Sequence, residues 1–225
     1  MPEPKLFTDV VRDRHAVRSF RPEPVDTAVL RSVLEDAQRS PSNCNTQPWL
    51  VHIVSGAKRD ELSRALLAAN AADHATLDFS FSLEDFPDLF QKRYQAQGAS
   101  YYQALGIARE DRDQRRIATL RNLDFFGAPH AALLFMPKVG DCVRTAADVG
   151  MWAQTFLLSL TAHGLGSIPQ TMLGFYADTV REVLKIDASH KMLFGVSFGH
   201  ADKTAAGSDY RIEKVPIDES VTFHV

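Results

Sequence analysis

The longest helical signal in the chain runs from Asp141 to His163. Val149, Trp152, Ala153, Phe156, Leu157 and Leu160 recur at helical spacing, and Gly164 stops the run. This apolar face is broader than one sheet requires, so the helix is expected to be buried on two sides. Around it lie three apolar segments that read as strands: "WLVHIVSG", ended by a glycine, the proline-bounded "HAALLFMP", expected in the interior, and "KMLFGVSFG". Shorter helical patterns cover Leu6 to Asp13, Thr27 to Arg39 with Asp26 as N-cap, Ala57 to Asn70 and Ala177 to Leu184. Helices stand before, between and after the strands without regular βαβ alternation. The chain is therefore an α+β protein, with a central sheet covered by helices on both faces.

The chain has 225 residues, enough for one well-buried domain. From about 71 to 126 the pattern is less regular, with acids mixed among phenylalanines. Helices are allowed after Pro87 and over Arg109 to Asn122. No Pro/Gly/Ser linker brackets the region, so it reads as a lid inserted into a single domain spanning 1–225. The tail "VTFHV" is strand-like but separated from the core by charged residues, and is expected to pair with a neighbouring sheet edge, in this subunit or another.

The formal net charge of -3 gives no reason to expect nucleic acid or an anionic membrane as partner. No apolar run approaches the roughly 20 residues that span a bilayer. Cys44 and Cys142 stand far apart, and "MPEPKLFTDVVRDRH" holds no secretory hydrophobic segment, so the expected compartment is the cytoplasm. "GLGSIP" has proline at the third glycine position of a dinucleotide fingerprint and follows a helix, which excludes that motif. P-loop, GxSxG and HExxH patterns are absent, the histidines are scattered singly, and Asp148 is expected to be structural. No metal site is expected, and no side-chain acid or base is expected to carry the chemistry.

Three other features suggest binding. In "RHAVRSF", read as extended chain, Arg14, Ala16 and Arg18 project to one face, and paired guanidiniums suit a phosphate; a solvated basic turn would carry the same residues. Arg211 and Lys214 form a second basic pair near the C-terminus. "SPSNCNTQPW" packs neutral amides and hydroxyls between a helix and a strand, with Asn43, Asn45 and Gln47 able to read a flat heterocycle and prolines to stiffen the loop.

"RHAVRSF", "SPSNCNTQPW" and "GLGSIPQ", in that order, together with "FGVSFGHAD…YRIEKVP", resemble the nitroreductase family of FMN-dependent oxidoreductases. The resemblance covers both ends and the long helix and is weak from about Ala71 to Asn122. It implies a three-layer sandwich with a mixed central sheet, in an interlocked homodimer with FMN at the subunit interface. The long helix would form the core of that interface and the tail would add a strand to the partner. Arg14, His15, Ala16 and Arg18 would line the phosphate and ring side of FMN, and Arg211 and Lys214 would complete the phosphate site. Pro41, Ser42, Asn43 and Asn45 would approach the flavin from the other subunit, and Ile168, Pro169, Gln170 and Thr171 would run past its ring. Many relatives have serine where Ala16 stands, and glutamate-glycine where Gln170 and Thr171 stand.

The activity implied is a ping-pong transfer of hydride from NADPH or NADH, through FMN, to a small planar acceptor such as a nitroaromatic or quinone. Phe79, Phe81, Phe86, Phe90 and Tyr94 are candidates to cap the exposed ring face, and Arg93 to meet a substrate carboxylate, with ordinary packing or a surface role as the competing reading. Reductive dehalogenation, flavin degradation and flavin storage without turnover remain open on the same fold.

Overall fold

The computed structural model describes residues 5–225; the first four residues of the segment screened for a leader lie outside them. The sheet has four strands in the order β1-β2-β4-β3: β1 (Leu50–Ser55), β2 (His130–Pro137), β3 (Gly166–Gln170) and β4 (His190–Gly199). All three pairings are antiparallel, which corrects the mixed sheet that the resemblance implied. Neighbouring strands run opposite ways, so the helices between them are not crossovers joining parallel neighbours. Among the described residues parallel pairing is confined to the isolated bridges Ala16–Ser167 and Thr76–Tyr176.

The layers follow from the alternation of side chains along β2. Ala131, Leu133 and Phe135 enter a core with Leu62 and Leu66 of α3 (Gly56–Ala71) and Ala177 and Val180 of α7 (Ala177–Leu184). Ala132, Leu134 and Met136 point the other way, into a core with Val33 and Ala37 of α2 (Thr27–Ala37) and Val149, Trp152, Phe156 and Leu160 of α6 (Val143–Ala162). Both faces of β2 are therefore dry, which explains its unbroken apolar run. Asp26 caps α2 by accepting from the N–H groups of Ala28 and Val29.

Within one chain α6 is buried on one side only. Its opposite side presents Val143, Ala147, Gly150, Met151 and Gln154 to solvent at helical spacing. The tail shows the same lack of a partner. Residues 211–225 are all exposed, and "VTFHV" forms no strand within the chain.

β3 carried no clear strand pattern in the sequence because it is short and contains a proline. It lies at the sheet edge, where Ser167 directs its carbonyl away from β4 toward Val17 N–H at 3.0 Å. Pro169 has the same parity, so its missing N–H removes nothing from the ladder.

Between α3 and β2 lie α4 (Asp88–Ala104), without one buried residue, and α5 (Arg112–Leu120), which buries only Ala118. The segment leading to them is pinned where Asp78 receives Arg181, Lys191 Nζ (3.1 Å) and the Met192 N–H (2.7 Å). After α5 the chain re-enters the core with Leu123, Phe125 and Phe126. Among the described residues no helix is long and apolar enough to cross a membrane.

Candidate active site

Edge strand β3 is the floor of the site. Residues 14–18 run extended beside it, and Val17 packs so closely that a Cβ on Gly166 would stand 2.8 Å from Val17 Cγ2. Glycine is thus what lets the N-terminal segment reach the sheet. Phe20 then bridges to Ala201, and Arg21 N–H bonds the His200 carbonyl, so the segment is laced to the strand leading into the C-terminal region.

A cavity of about 910 Å³ opens over this junction. It gathers Arg14, His15, Ala16 and Arg18 from one chain end, Arg211 and Lys214 from the other, and Ile168 and Pro169 from β3. Lys5, Arg12 and Lys203 join them, cations that no spacing in the sequence singled out. The one acid in the lining among the described residues, Asp13, is bonded to Lys5 at 2.8 Å, and that bond holds its carboxyl below the usual carboxylate range. A concave surface with this balance focuses positive potential and suits a phosphate. His15 donates from Nδ1 to the Asp13 carbonyl at 2.6 Å. Burial, then the nearby Arg211 and Arg14, lower its pKa, so it faces the cavity as a neutral ring.

Arg18 is held by two tyrosines that the sequence did not mark. Its guanidinium lies 4.5 Å from the Tyr101 ring centroid and 5.9 Å from that of Tyr210. Tyr210 precedes Arg211, whereas Tyr101 comes from α4 with no sequence signal linking it to Arg18. The Tyr101 hydroxyl is buried without a hydrogen-bond partner among the described residues, and burial raises its pKa.

Arg18, Gln97, Ile168 and Pro169 also line a second cavity of about 1230 Å³, so the two spaces adjoin across β3. The second has Gln170, Thr171 and Met172 on its floor and Phe81, Tyr94, Tyr102, Phe126 and Phe175 among its walls. Gln170 turns its side chain inward. Its Nε2 donates to the Asn122 carbonyl (2.9 Å) and Oδ1 (3.2 Å), and its Oε1 accepts from the Ser197 hydroxyl. It therefore ties the floor to the end of α5 and to β4.

Of the lid residues singled out in the sequence, Phe81 and Tyr94 reach this cavity and four do not. Phe79 packs against the core on the α2 and α6 side. Phe86 leans on Phe81, with ring centroids 6.2 Å apart, and Phe90 is exposed outside the lining. Arg93 is committed to Glu219 at 2.8 Å, a contact between residues far apart in sequence.

The loop from Pro41 to Gln47 reaches neither cavity of its own chain. It lies against α6, where Asn43 N–H donates to Asp148 Oδ1 at 3.0 Å, giving buried Asp148 a structural role. Ser42 closes the turn by accepting from Gln47 N–H at 2.9 Å. Cys44, Asn45 and Gln47 all have left-handed backbones, with φ of 49°, 56° and 48°. Three such residues without a glycine make a strained loop, held by these bonds with its amides exposed.

Among the described residues no group of His, Cys, Asp and Glu side chains is placed to hold a metal ion. The model of the nitroreductase family matches residues 11–200. A curated relative, nitroreductase NfnB of Mycolicibacterium smegmatis, is 45% identical over 95% of this chain and 91% of its own. A 4-nitrobenzoate reductase of Pseudomonas putida is 30% identical over 92% of this chain and 91% of its own. The crystal structure of the FMN-dependent nitroreductase NfnB from Mycobacterium smegmatis in complex with NADPH superposes with a TM-score of 0.92 at 44% identity, covering 97% of both chains. A site built on the sheet edge from both chain ends, and a family match that runs from Val11 to the residue after β4, lead to one conclusion: the chain belongs to the nitroreductase family.

Proposed function

We propose that this protein is an FMN-dependent oxidoreductase that uses NADPH or NADH to reduce flat nitroaromatic or quinone acceptors by a ping-pong mechanism. The observation that carries this is the meeting of Arg14 and Arg18 with Arg211 and Lys214 on one cavity that continues over β3 into an aromatic cleft. The residues present fit the cofactor. Four cations from opposite chain ends answer its phosphate, Asp13 is already neutralised by Lys5, and the glycine cradle at Gly166 holds the binding segment against the floor.

Bound there, FMN would supply the redox chemistry that links the nicotinamide donor to the acceptor. The side chains bind and orient. Arg14, Arg18, Arg211 and Lys214 would hold the phosphate, and the stacked tyrosines fix Arg18 in place. Ile168 to Thr171 would form the floor for the ring, with Gln170 bonded to Asn122 and Ser197. Phe81, Tyr94, Tyr102 and Phe175 form the walls for a planar substrate, which exclude water from its faces. A lid role for residues 71–126 is supported by the α4 and α5 side chains that line that cleft.

The working unit is a homodimer on this reading. The solvent-facing stripe of α6, with small Ala147 and Gly150 at its centre, suits close packing on a second copy, and the unpaired tail suits a docking arm. A partner's Pro41, Ser42, Asn43, Asn45 and Gln47 would then supply amides to the flavin, which accounts for a strained loop unused in its own chain. Two free cysteines suit a reducing cytoplasm.

The test is direct. Purified protein should be yellow, release FMN on denaturation, and bleach when NADPH is added without oxygen. Colour returning on addition of a nitroaromatic completes the cycle, whereas flavin that stays oxidised under excess NADPH and NADH would make this a storage protein.

A further inference from the structure

The larger cavity has an electrostatic character that reduction of neutral nitroaromatics does not require. The whole chain carries more acids than bases, 28 against 25, yet among the described residues the charged ones lining this cavity are Arg18, Lys92, Arg109 and Arg115, with no carboxylate. Arg18 belongs to the floor shared with the phosphate cavity. The other three come from α4, the α4–α5 connection and α5. None of the three enters an ion pair among the described residues, whereas neighbouring Arg93 turns outward to Glu219.

Arg115 is the best placed. Its guanidinium lies 4.5 Å from the Tyr102 ring centroid, and its Nε donates to the Ala108 carbonyl at 3.3 Å. Stacking and that one bond fix the plane of the fork, while the two terminal nitrogens have no partner among the described residues. A fork held flat against an aromatic wall is suited to take an oxyanion in two parallel hydrogen bonds.

Resting on the function proposed above, we infer that Arg115, assisted by Arg109 and Lys92, is the specificity-determining anion anchor of the cleft. It selects flat ligands carrying an oxyanion over neutral ones of the same shape. That oxyanion is either a carboxylate on the acceptor or the additional phosphate that distinguishes NADPH from NADH.

Matched ligand pairs on the full-length flavin-loaded protein separate these sources. For wild type and Arg115→Gln, kcat/KM is measured with 4-nitrobenzoate against nitrobenzene, and with NADPH against NADH. Calorimetric titration with 4-nitrobenzoate reads binding without turnover. A carboxylate anchor predicts that the substitution lowers the nitrobenzoate-to-nitrobenzene ratio about tenfold, chiefly through KM, with a matching loss in the titration. A phosphate anchor predicts the same fall in the NADPH-to-NADH ratio instead. Arg115→Lys should recover part of either ratio, and added salt should weaken only the anionic member of the affected pair.

The inference is overturned if both ratios and the titration are unchanged in Arg115→Gln and in the Lys92→Gln/Arg109→Gln double variant. Equal flavin content and thermal midpoint across the variants exclude misfolding as the cause of any change. Wild-type protein that binds 4-nitrobenzoate through Arg115 but turns over neither acceptor would defeat the proposed function and leave the anchor standing. Turnover of both acceptors with no charge preference would do the reverse.

Discussion

At the scale of single residues, the site is made of groups whose surroundings fix their state. Arg18 is taken out of water and stacked on tyrosine, and burial lowers its pKa from the ordinary arginine value. A buried charged hydrogen bond is worth about 1.5–3 kcal/mol, so Arg18→Ala is expected to weaken FMN retention roughly ten- to hundredfold. Fluorescence titration of the apoprotein checks this, and unchanged retention would remove Arg18 from the phosphate site.

His130 makes a separate prediction about stability. Its Nε2 accepts from Val25 N–H at 2.8 Å and its Nδ1–H donates to Ser55 Oγ at 2.5 Å, while the ring stacks on Phe198. This geometry needs the neutral ring, and burial, then nearby His200, lower the pKa. The unfolded chain, with a pKa near 6.5, therefore binds the proton more readily than the folded one. The contribution is complete above about pH 6.5 and is lost as pH falls toward the lower folded value. Denaturation between pH 5 and 8 should give stability that rises with pH, and His130→Gln should make that rise shallower. A depressed His15 and His52 keep it from vanishing. An identical slope in the variant would refute the assignment.

At the scale of elements, β3 and the segment beside it decide whether a site exists. Gly166 is the point of closest approach, so Gly166→Ala forces its new methyl into Val17. Overpacking of this kind costs about 1–3 kcal/mol. In a chain of this size that lowers Tm by roughly 2–4 °C per kcal/mol. Because Val17 lies between Ala16 and Arg18, the expected result couples a lower midpoint to reduced flavin content. Lost stability with full flavin affinity would show that the segment shifts without moving its cations. How legible each element was depended on how much its own residues decide. The apolar runs of β1, β2 and β4 and the periodicity of α2 and α6 mark them plainly. β3 was missed because an edge strand with proline is defined by its neighbours, and Phe79, Phe86, Phe90 and Arg93 share a lid composition that does not say which faces turn inward.

At the scale of the whole molecule, α6 and the tail are finished on one side only. The exposed stripe through Ala147, Gly150 and Met151 gives the dimer its most direct test. A Cβ on Gly150 meets nothing within 4 Å in the chain, so Gly150→Arg is expected to leave the monomer fold intact and to obstruct the proposed second copy. Light scattering should show a monomer in place of a dimer, and flavin should be lost with it, since the amide loop would no longer reach a neighbouring site. A variant that remains a flavin-loaded dimer would move the interface elsewhere. The residue types needed for a phosphate and a flat ring, their order along the chain, and the helices and apolar strands of the core were determined by the sequence alone, because local periodicity and side-chain chemistry act over a few residues. Which of those groups share a cavity, that the sheet is antiparallel, that Tyr101 holds Arg18, and that Arg93 turns away while Arg115 turns in were decided only by the tertiary structure. Each depends on how separate segments are brought together in the fold, and no local pattern encodes them.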